Sequence, residues 1–154
     1  MRFSRVGARL VTVTTAVLTL GAVTAAPAAA DAGSWRAYGN TNPITSSSST
    51  WRCGSTHAIA TDMVAQVCAI RSAGGGAVQG AVIVRNNRSS LGPAAASVSL
   101  WNVYRENRGS WTCPSSGVAA NSWSVCFGAT ISSLTSLSAS GDSLGVGLGS
   151  SAFV

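Results

Sequence analysis

Side chains that perform acid–base or nucleophilic chemistry are scarce in this chain of 154 residues. It has one histidine, His57, and four acidic residues. With Asp62 and a serine, His57 has the groups of a nucleophile, a base and an orienting acid. The Gly-x-Ser-x-Gly pattern occurs once, at residues 141–145, but no helical periodicity follows it, whereas the turn that presents a nucleophilic serine in α/β-hydrolases leads from a strand into a helix. An enzyme that uses His57 is therefore kept only as an alternative, and no catalytic residue is predicted.

A pair of carboxylates for glycoside hydrolysis would have to consist of Asp62 and Glu106. The other acids are Asp142, in a Ser-Gly-Asp-Ser turn, and Asp31, which is the predicted N-terminus of the exported chain. No further motif supports the pair. The sequence also has no Cys-x-x-Cys pair, the spacing that a zinc site favours. We therefore expect neither a metal nor another cofactor.

Trp101 is the side chain best suited to bind a ligand. The strand predicted over residues 96–105 alternates small apolar side chains on one face with serines, Trp101 and Arg105 on the other. The second face is the more polar, so we expect it to face solvent. An exposed indole beside Arg105, with Arg85 on a neighbouring strand, would form a platform for a sugar ring, an aromatic side chain or a peptide. The alternative is that a second sheet covers this face and that Trp101 belongs to the core.

Three other tryptophans are interpreted as structural. Trp51 and Trp111 each precede a cysteine by two residues, which places each indole on the same face of a strand as that cysteine. Packing against a buried bridge is common for a tryptophan in a β-sandwich. Trp123 alternates with Val125 and Phe127, so these three side chains are expected to point inward.

The four cysteines occur in a pattern that is repeated within the chain. Trp-x-Cys-Gly-Ser at Cys53 leads to Val-Cys at Cys68, and Trp-x-Cys-Pro-Ser at Cys113 leads to Val-Cys at Cys126. If the similarity is not due to chance, it indicates two hairpin units that each close their own bridge, Cys53–Cys68 and Cys113–Cys126. Loops of this size would each contribute about 3 kcal/mol in the chain-entropy description.

Period-two alternation and turn residues predict an all-β fold. We expect a single small disulfide-bonded β-sandwich, or a sandwich-like barrel, of about seven or eight strands. The β domain spans residues 51–154 and follows a polar segment, residues 31–50, interpreted as a loop or a frayed edge strand. A short helix over residues 58–65 is an alternative within the domain. The predicted strands cover residues 51–54, 63–71, 78–86, 96–105, 111–113, 122–132 and 144–154.

The N-terminal 30 residues have the pattern of a secretory signal peptide. Three arginines among the first nine residues precede an apolar run over residues 10–26. Pro27 then ends the run, and three alanines supply the small residues that a signal peptidase needs. We expect cleavage between Ala30 and Asp31, although an uncleaved membrane anchor is the competing interpretation. The mature protein would then be secreted, without a further membrane segment, into a compartment where disulfides form.

The charge of the mature part is modest. Three of the ten basic residues lie in the predicted signal segment, so seven remain against four acids, a net charge of about +3. They do not form the basic cluster that nucleic-acid binding requires, so no nucleic-acid partner is expected. The use of arginine without any lysine is typical of GC-rich bacterial genomes. These arginines are Arg36, Arg52, Arg71, Arg85, Arg88, Arg105 and Arg108.

Together these features favour a secreted, non-catalytic binding module. Its partner would be a cell-wall or environmental polysaccharide, or an extracellular protein, recognised by an aromatic–arginine patch of Trp101, Arg105 and Arg85. The alternative is a secreted protease inhibitor or effector that inserts a bridged segment, residues 54–67 or 114–124, into the cleft of a partner.

Overall fold

The computed structural model describes residues 30–154. The predicted signal segment, apart from Ala30, lies outside these residues, so its cleavage stays a prediction. Within the described residues the regular structure consists of strands in two sheets, with no helix. The all-β, sandwich-like fold expected from the sequence is confirmed.

Twelve strands are present among residues 30–154. The number exceeds the seven or eight expected because β1, β2, β4 and β11 were not among the predicted strands and β10 was predicted as part of the strand that contains β9. The strands are β1 (Asp31–Ala32), β2 (Ser34–Gly39), β3 (Thr50–Cys53), β4 (His57–Ala60), β5 (Met63–Arg71), β6 (Ala77–Asn86), β7 (Gly92–Asn102), β8 (Asn107–Val118), β9 (Ser122–Phe127), β10 (Ile131–Ser132), β11 (Leu137–Ser143) and β12 (Val146–Ser150).

The first sheet, here called sheet A, has the strand order β1-β8-β7-β11-β12. The second, sheet B, has the order β2-β9-β6-β5-β3, with β4 paired to another part of β5 and β10 to the start of β6. All pairs are antiparallel except β1 with β8. The chain crosses between the sheets after β1, β6, β8 and β10, so strands that are consecutive in sequence often lie in opposite layers.

The main core lies between the two sheets and follows the alternation in the sequence. Along β6, the side chains of Val78, Val82 and Val84 point into the core and are at most 1 % exposed. Gly80 takes the remaining inward position because a Cβ there would lie 2.8 Å from Val98 Cγ2 of the facing sheet. The strongest strand predicted from the sequence is therefore the centre of sheet B.

A second apolar cluster covers the outer face of sheet B. Val125 is buried there, and Trp123 and Phe127 pack against the cluster, whereas the inward positions of β9 are taken by small residues that include Cys126. The prediction that Trp123, Val125 and Phe127 point inward is therefore wrong about the direction. The reason is that the segment over residues 40–49 folds onto this face through Ile44, so both faces of β9 are covered.

Both predicted disulfides are present, but they play different roles. Cys53–Cys68 joins directly opposed residues of the neighbouring strands β3 and β5. Cys113–Cys126 joins β8 of sheet A to β9 of sheet B. The second bridge therefore connects the layers instead of closing a hairpin, and the repeated cysteine pattern does not correspond to two equivalent units.

Several elements differ from the sequence prediction. Residues 31–50 contribute the edge strands β1 and β2, and the strand predicted over residues 111–113 extends over Asn107–Val118 as β8. The segment over residues 58–65 contains β4 and the start of β5, not a helix. Strand β11 was not predicted, because its sequence Leu-Ser-Ala-Ser-Gly-Asp-Ser is rich in residues that are typical of turns. Its first residues nevertheless alternate, with Leu137 and Ala139 fully buried in the core. β11 lies between β7 and β12 and carries side chains of the candidate site.

The start of the described fold is compatible with the predicted cleavage, because Asp31 already pairs with Trp111 in β1 and β8. Protein collected from the medium of a secreting host is expected to begin at Asp31. Intact mass spectrometry should also show two disulfides, each adding two hydrogens on reduction. A mass that includes residues 1–30 would instead support the uncleaved anchor.

Within residues 30–154, no helix is long and apolar enough to span a bilayer.

Candidate functional site

Trp101 lies on the outer face of sheet A, near the end of β7. Its neighbours along the strand alternate as predicted, because Val98 and Leu100 are buried in the core while Ser99 is half-exposed. No second sheet covers Trp101 in the described part of the chain, and its side chain is half-buried. The indole Nε1 donates a hydrogen bond to Ser140 Oγ at 2.8 Å. This bond holds the ring at a fixed angle to the sheet.

The indole of Trp101 borders an open groove of about 590 Å³. We call this feature the Trp101 groove. One side is the turn that follows β7, the floor is β11, and the other side is the segment after β12. Its main lining residues are Trp101, Asn102, Arg105, Ser138, Ser140 and Phe153.

Hydroxyl groups line the floor of the groove. Ser138 pairs with Trp101 across β11 and β7, is only 9 % exposed, and its hydroxyl has no hydrogen-bond partner among residues 30–154. Ser140 Oγ accepts the indole hydrogen bond and keeps its own proton for another acceptor. Ser151 is different, because its Oγ accepts from Ala139 N at 2.9 Å and donates to Ala152 O at 2.8 Å. Ser138 and Ser140 are therefore the serines available to a ligand at the floor.

The turn after β7 is organised by Asn102. Its Oδ1 accepts hydrogen bonds from Tyr104 N at 3.0 Å and Glu106 N at 2.9 Å, and its Nδ2 donates to Glu106 Oε2 at 2.7 Å. Arg105 occupies the left-handed region with φ of 63°, and its amide donates to Asn102 O at 3.0 Å. This geometry places the Arg105 side chain at the rim of the groove, where it is exposed.

The opposite side of the groove is formed by the segment that follows β12. Ser151 N donates to Ala139 O at 2.8 Å, and Val154 and Leu137 exchange two main-chain hydrogen bonds. The segment therefore continues along the edge of β11 and presents Phe153, which is 48 % exposed, to the groove. Arg71 holds the far end, since its Nη2 donates to Val154 O at 2.9 Å.

A flat hydroxyl-rich face extends from the groove across sheet A. Ser99 Oγ and Ser110 Oγ are 2.8 Å apart on β7 and β8. One row further from Trp101, Ser97 donates a hydrogen bond to the carboxylate of Asp142. Because paired residues of antiparallel strands share a face, these side chains lie on the same surface as Trp101.

Arg85 does not belong to the Trp101 groove, so its predicted place beside Trp101 is wrong. It lies on β6 of sheet B, where its guanidinium sits over the ring of Trp123 at 5.2 Å from the centroid. The guanidinium also donates hydrogen bonds to Asn40, Asn87 and Asn121. The prediction failed because β6 and β7 are consecutive in sequence but lie in opposite sheets.

The possible carboxylate pair is not brought together, and Ser143 of the Gly-x-Ser-x-Gly pattern is fully buried in β11, where its Oγ donates to Ala95 O at 3.0 Å. His57 is half-buried on β4 of sheet B. Asp62 precedes Met63, which packs against Gly92 at the start of β7, whereas Glu106 follows the end of β7. The eleven residues of β7 span about 35 Å, so Asp62 and Glu106 lie near opposite ends of the sandwich. Within residues 30–154, no three histidine, cysteine or acidic side chains form a metal-binding group.

The bridged segments are mainly β-structure. Most of residues 54–67 belong to β4 and β5, and residues 114–124 consist of the end of β8, a short turn and the start of β9. Neither bridge holds a long protruding loop of the kind that the inhibitor hypothesis requires.

Comparison with known proteins returned no relative: no protein-family model, no curated protein and no solved structure matches the chain.

Ser138, Ser140 and Phe153 line the groove but were not predicted from the sequence. The two serines alternate with Leu137 and Ala139, a period-two signal that was available in the sequence. Phe153 could not have been found in this way, because it reaches the groove through the path of the segment after β12 and not through the pattern of a strand.

Proposed function

We propose that the mature protein is a secreted, non-catalytic module that binds a polysaccharide in the Trp101 groove. The observation that carries the proposal is the position of the Trp101 indole beside the hydroxyls of Ser138 and Ser140. A sugar ring has an apolar face and a rim of hydroxyls, so it needs an aromatic surface together with hydrogen-bonding groups at its edge.

The shape of the surroundings supports a chain-like ligand. The groove is open to solvent, and the hydroxyls of Ser97, Ser99 and Ser110 lie on the same face of sheet A as Trp101. Its volume of about 590 Å³ is within the usual range of ligand sites, ~300–1,000 Å³. A polymer can therefore place one part in the groove while neighbouring sugars extend over the sheet. The inhibitor alternative has less support, because the bridged segments over residues 54–67 and 114–124 are mainly β-strand and contain no long loop.

Replacement of Trp101 by alanine is expected to abolish retention on the preferred polymer. Protein secreted into the medium would be tested on insoluble peptidoglycan, chitin, cellulose and an uncoated resin. The thermal midpoint should fall by only about 5 °C, because a half-buried side chain with one hydrogen bond contributes on the order of 1 kcal/mol. Trp123→Ala is the matched control, since Trp123 is also half-buried but lies on the outer face of sheet B.

A second variant keeps the test independent of the stability of Trp101→Ala. Ser138→Ala removes a hydroxyl that has no partner among the described residues, so the fold should be preserved. Loss of one hydrogen bond to the ligand should weaken binding about fivefold. Unchanged binding by both variants, equal loss in Trp123→Ala, or no retention of the wild-type protein on any polymer would refute the proposal.

A further inference from the structure

The charges around the Trp101 groove are unbalanced. Arg105 is the only charged residue among those that line it. Its guanidinium makes no hydrogen bond and no ion pair with any residue in the range 30–154. Three arginines are used by the fold, since Arg71 donates to four main-chain oxygens, Arg85 to three neighbours and Arg88 to Thr61 O. Arg36, Arg52 and Arg108 resemble Arg105 in making no side-chain hydrogen bond among residues 30–154, but they do not line the groove.

Neither nearby carboxylate forms an ion pair with Arg105. Glu106 follows Arg105 directly, but Asn102 Nδ2 donates to its Oε2 at 2.7 Å and holds it in the turn. Asp142 lies on the same face of sheet A, two residues further along β11 than Ser140. Its carboxylate accepts a hydrogen bond from Ser97 and does not line the groove. The rim of the groove therefore presents one positive group with no partner.

The floor of the groove supplies the second observation. The Ser138 hydroxyl is on a residue that is 9 % exposed, lines the groove, and has no protein partner in the described chain. A hydroxyl without a protein partner offers both a donor and an acceptor to a ligand atom that enters the groove. Arg105 and Ser138 thus present donors from the rim and the floor of one groove.

We propose that the ligand is an acidic glycan whose carboxylate binds Arg105 while the sugar ring lies against Trp101. This inference rests on the proposed function. The planar guanidinium matches a carboxylate with two parallel hydrogen bonds, which gives stronger binding than a neutral donor. Ser138 then donates to a hydroxyl or ring oxygen of the same sugar. The small positive net charge of the mature protein, about +3, also favours binding of a negatively charged ligand.

The test uses matched polymers that differ only in charge. Peptidoglycan, polygalacturonate, alginate and hyaluronan would each be offered to the secreted protein in native form and with their carboxylates converted to methyl esters. Neutral cellulose and chitin complete the panel. We expect retention on at least one native acidic polymer, a loss of about tenfold or more on esterification, and weaker retention at high salt because an exposed ion pair is screened.

Arg105→Gln should reduce binding to the native acidic polymer by about tenfold or more and leave binding to its ester unchanged. Arg108→Gln is the matched control, because Arg108 is exposed near the same turn but does not line the groove. Equal retention of native and esterified polymers, or retention on a neutral polymer that Arg105→Gln does not change, would overturn the acidic ligand and leave the proposed function intact. No retention on any polymer would overturn both.

Discussion

Replacement of Arg71 by alanine is expected to lower the free energy of unfolding by about 3 kcal/mol, because one half-buried guanidinium holds several parts of the chain together. Its Nη1 donates to Gly75 O at 2.6 Å and Ser133 O at 2.9 Å, and its Nη2 donates to Thr135 O at 2.7 Å and Val154 O at 2.9 Å. The acceptors belong to the β5–β6 turn, the β10–β11 loop and the segment after β12. Urea unfolding of the oxidised protein would measure the loss.

Two variants separate the geometry of Arg71 from its charge. Arg71→Lys should recover only part of the stability, because a single ammonium group does not reproduce the planar fork that reaches all four oxygens. Arg88→Ala is the control for an arginine with one main-chain bond, to Thr61 O at 2.8 Å, and should cost about 1 kcal/mol. Similar losses for Arg71→Ala and Arg88→Ala would contradict the role assigned to the four bonds.

Arg71→Ala should also weaken ligand binding in the Trp101 groove. Arg71 anchors Val154, and the preceding residue, Phe153, forms one side of the groove. Loss of the anchor should therefore weaken retention on the polymer at temperatures where Arg71→Ala is still folded. Full retention under those conditions would show that Phe153 is held in place by the other contacts of the segment after β12.

Gly128→Ala is expected to lower the free energy of unfolding by about 3 kcal/mol, because the added methyl group overlaps a buried indole. A Cβ built on Gly128 would lie 2.6 Å from Trp111 Cδ2, and Trp111 is only 4 % exposed. The other end of the ring lies close to Gly109, where an added Cβ would be 2.5 Å from Trp111 Cζ2. Trp111 thus packs between two positions that both require glycine.

A double-mutant cycle would test this packing directly. Trp111→Leu alone should cost about 3 kcal/mol, because it removes a large buried side chain. Combined with Gly128→Ala, the two losses should not add, since the smaller side chain leaves room for the methyl group. Gly74→Ala is the matched control: it lies in the β5–β6 turn, and a Cβ there would meet nothing within 4 Å. Additive losses in the cycle would show that Gly128 is required for another reason.

Local patterns in the sequence were sufficient for most of the strands and for the disulfides. β5 spans the predicted residues, and β6 begins only one residue earlier than predicted. Both predicted cysteine pairs form, although the repeated pattern from which they were predicted does not correspond to two equivalent hairpin units. The half-buried position of Trp101 on the polar face of β7 agrees with the alternation of that strand.

The errors arose where a face or a layer had to be chosen. The alternation of side chains along β9 predicts that Trp123 and Cys126 point to opposite sides of the strand. It does not predict which of the two side chains points toward the second sheet. The segment over residues 40–49 covers the outer face of sheet B through Ile44, so apolar side chains were possible on both sides of β9. A prediction that allows only one buried face per strand therefore assigned the large apolar side chains of β9 to the inner face, although they lie on the outer face.

The sequence by itself determined the all-β class and the main strands, and it singled out Trp101 and Arg105 as candidates for contact with a ligand. These features depend on neighbours within a few residues, where the geometry of a strand is set by the chain itself. Only the tertiary structure decided that Arg85 lies in the other sheet, that β11 supplies Ser138 to the floor of the groove, and that Phe153 closes its side. Those outcomes depend on crossings between layers and on packing between residues far apart in the chain, which no local pattern specifies.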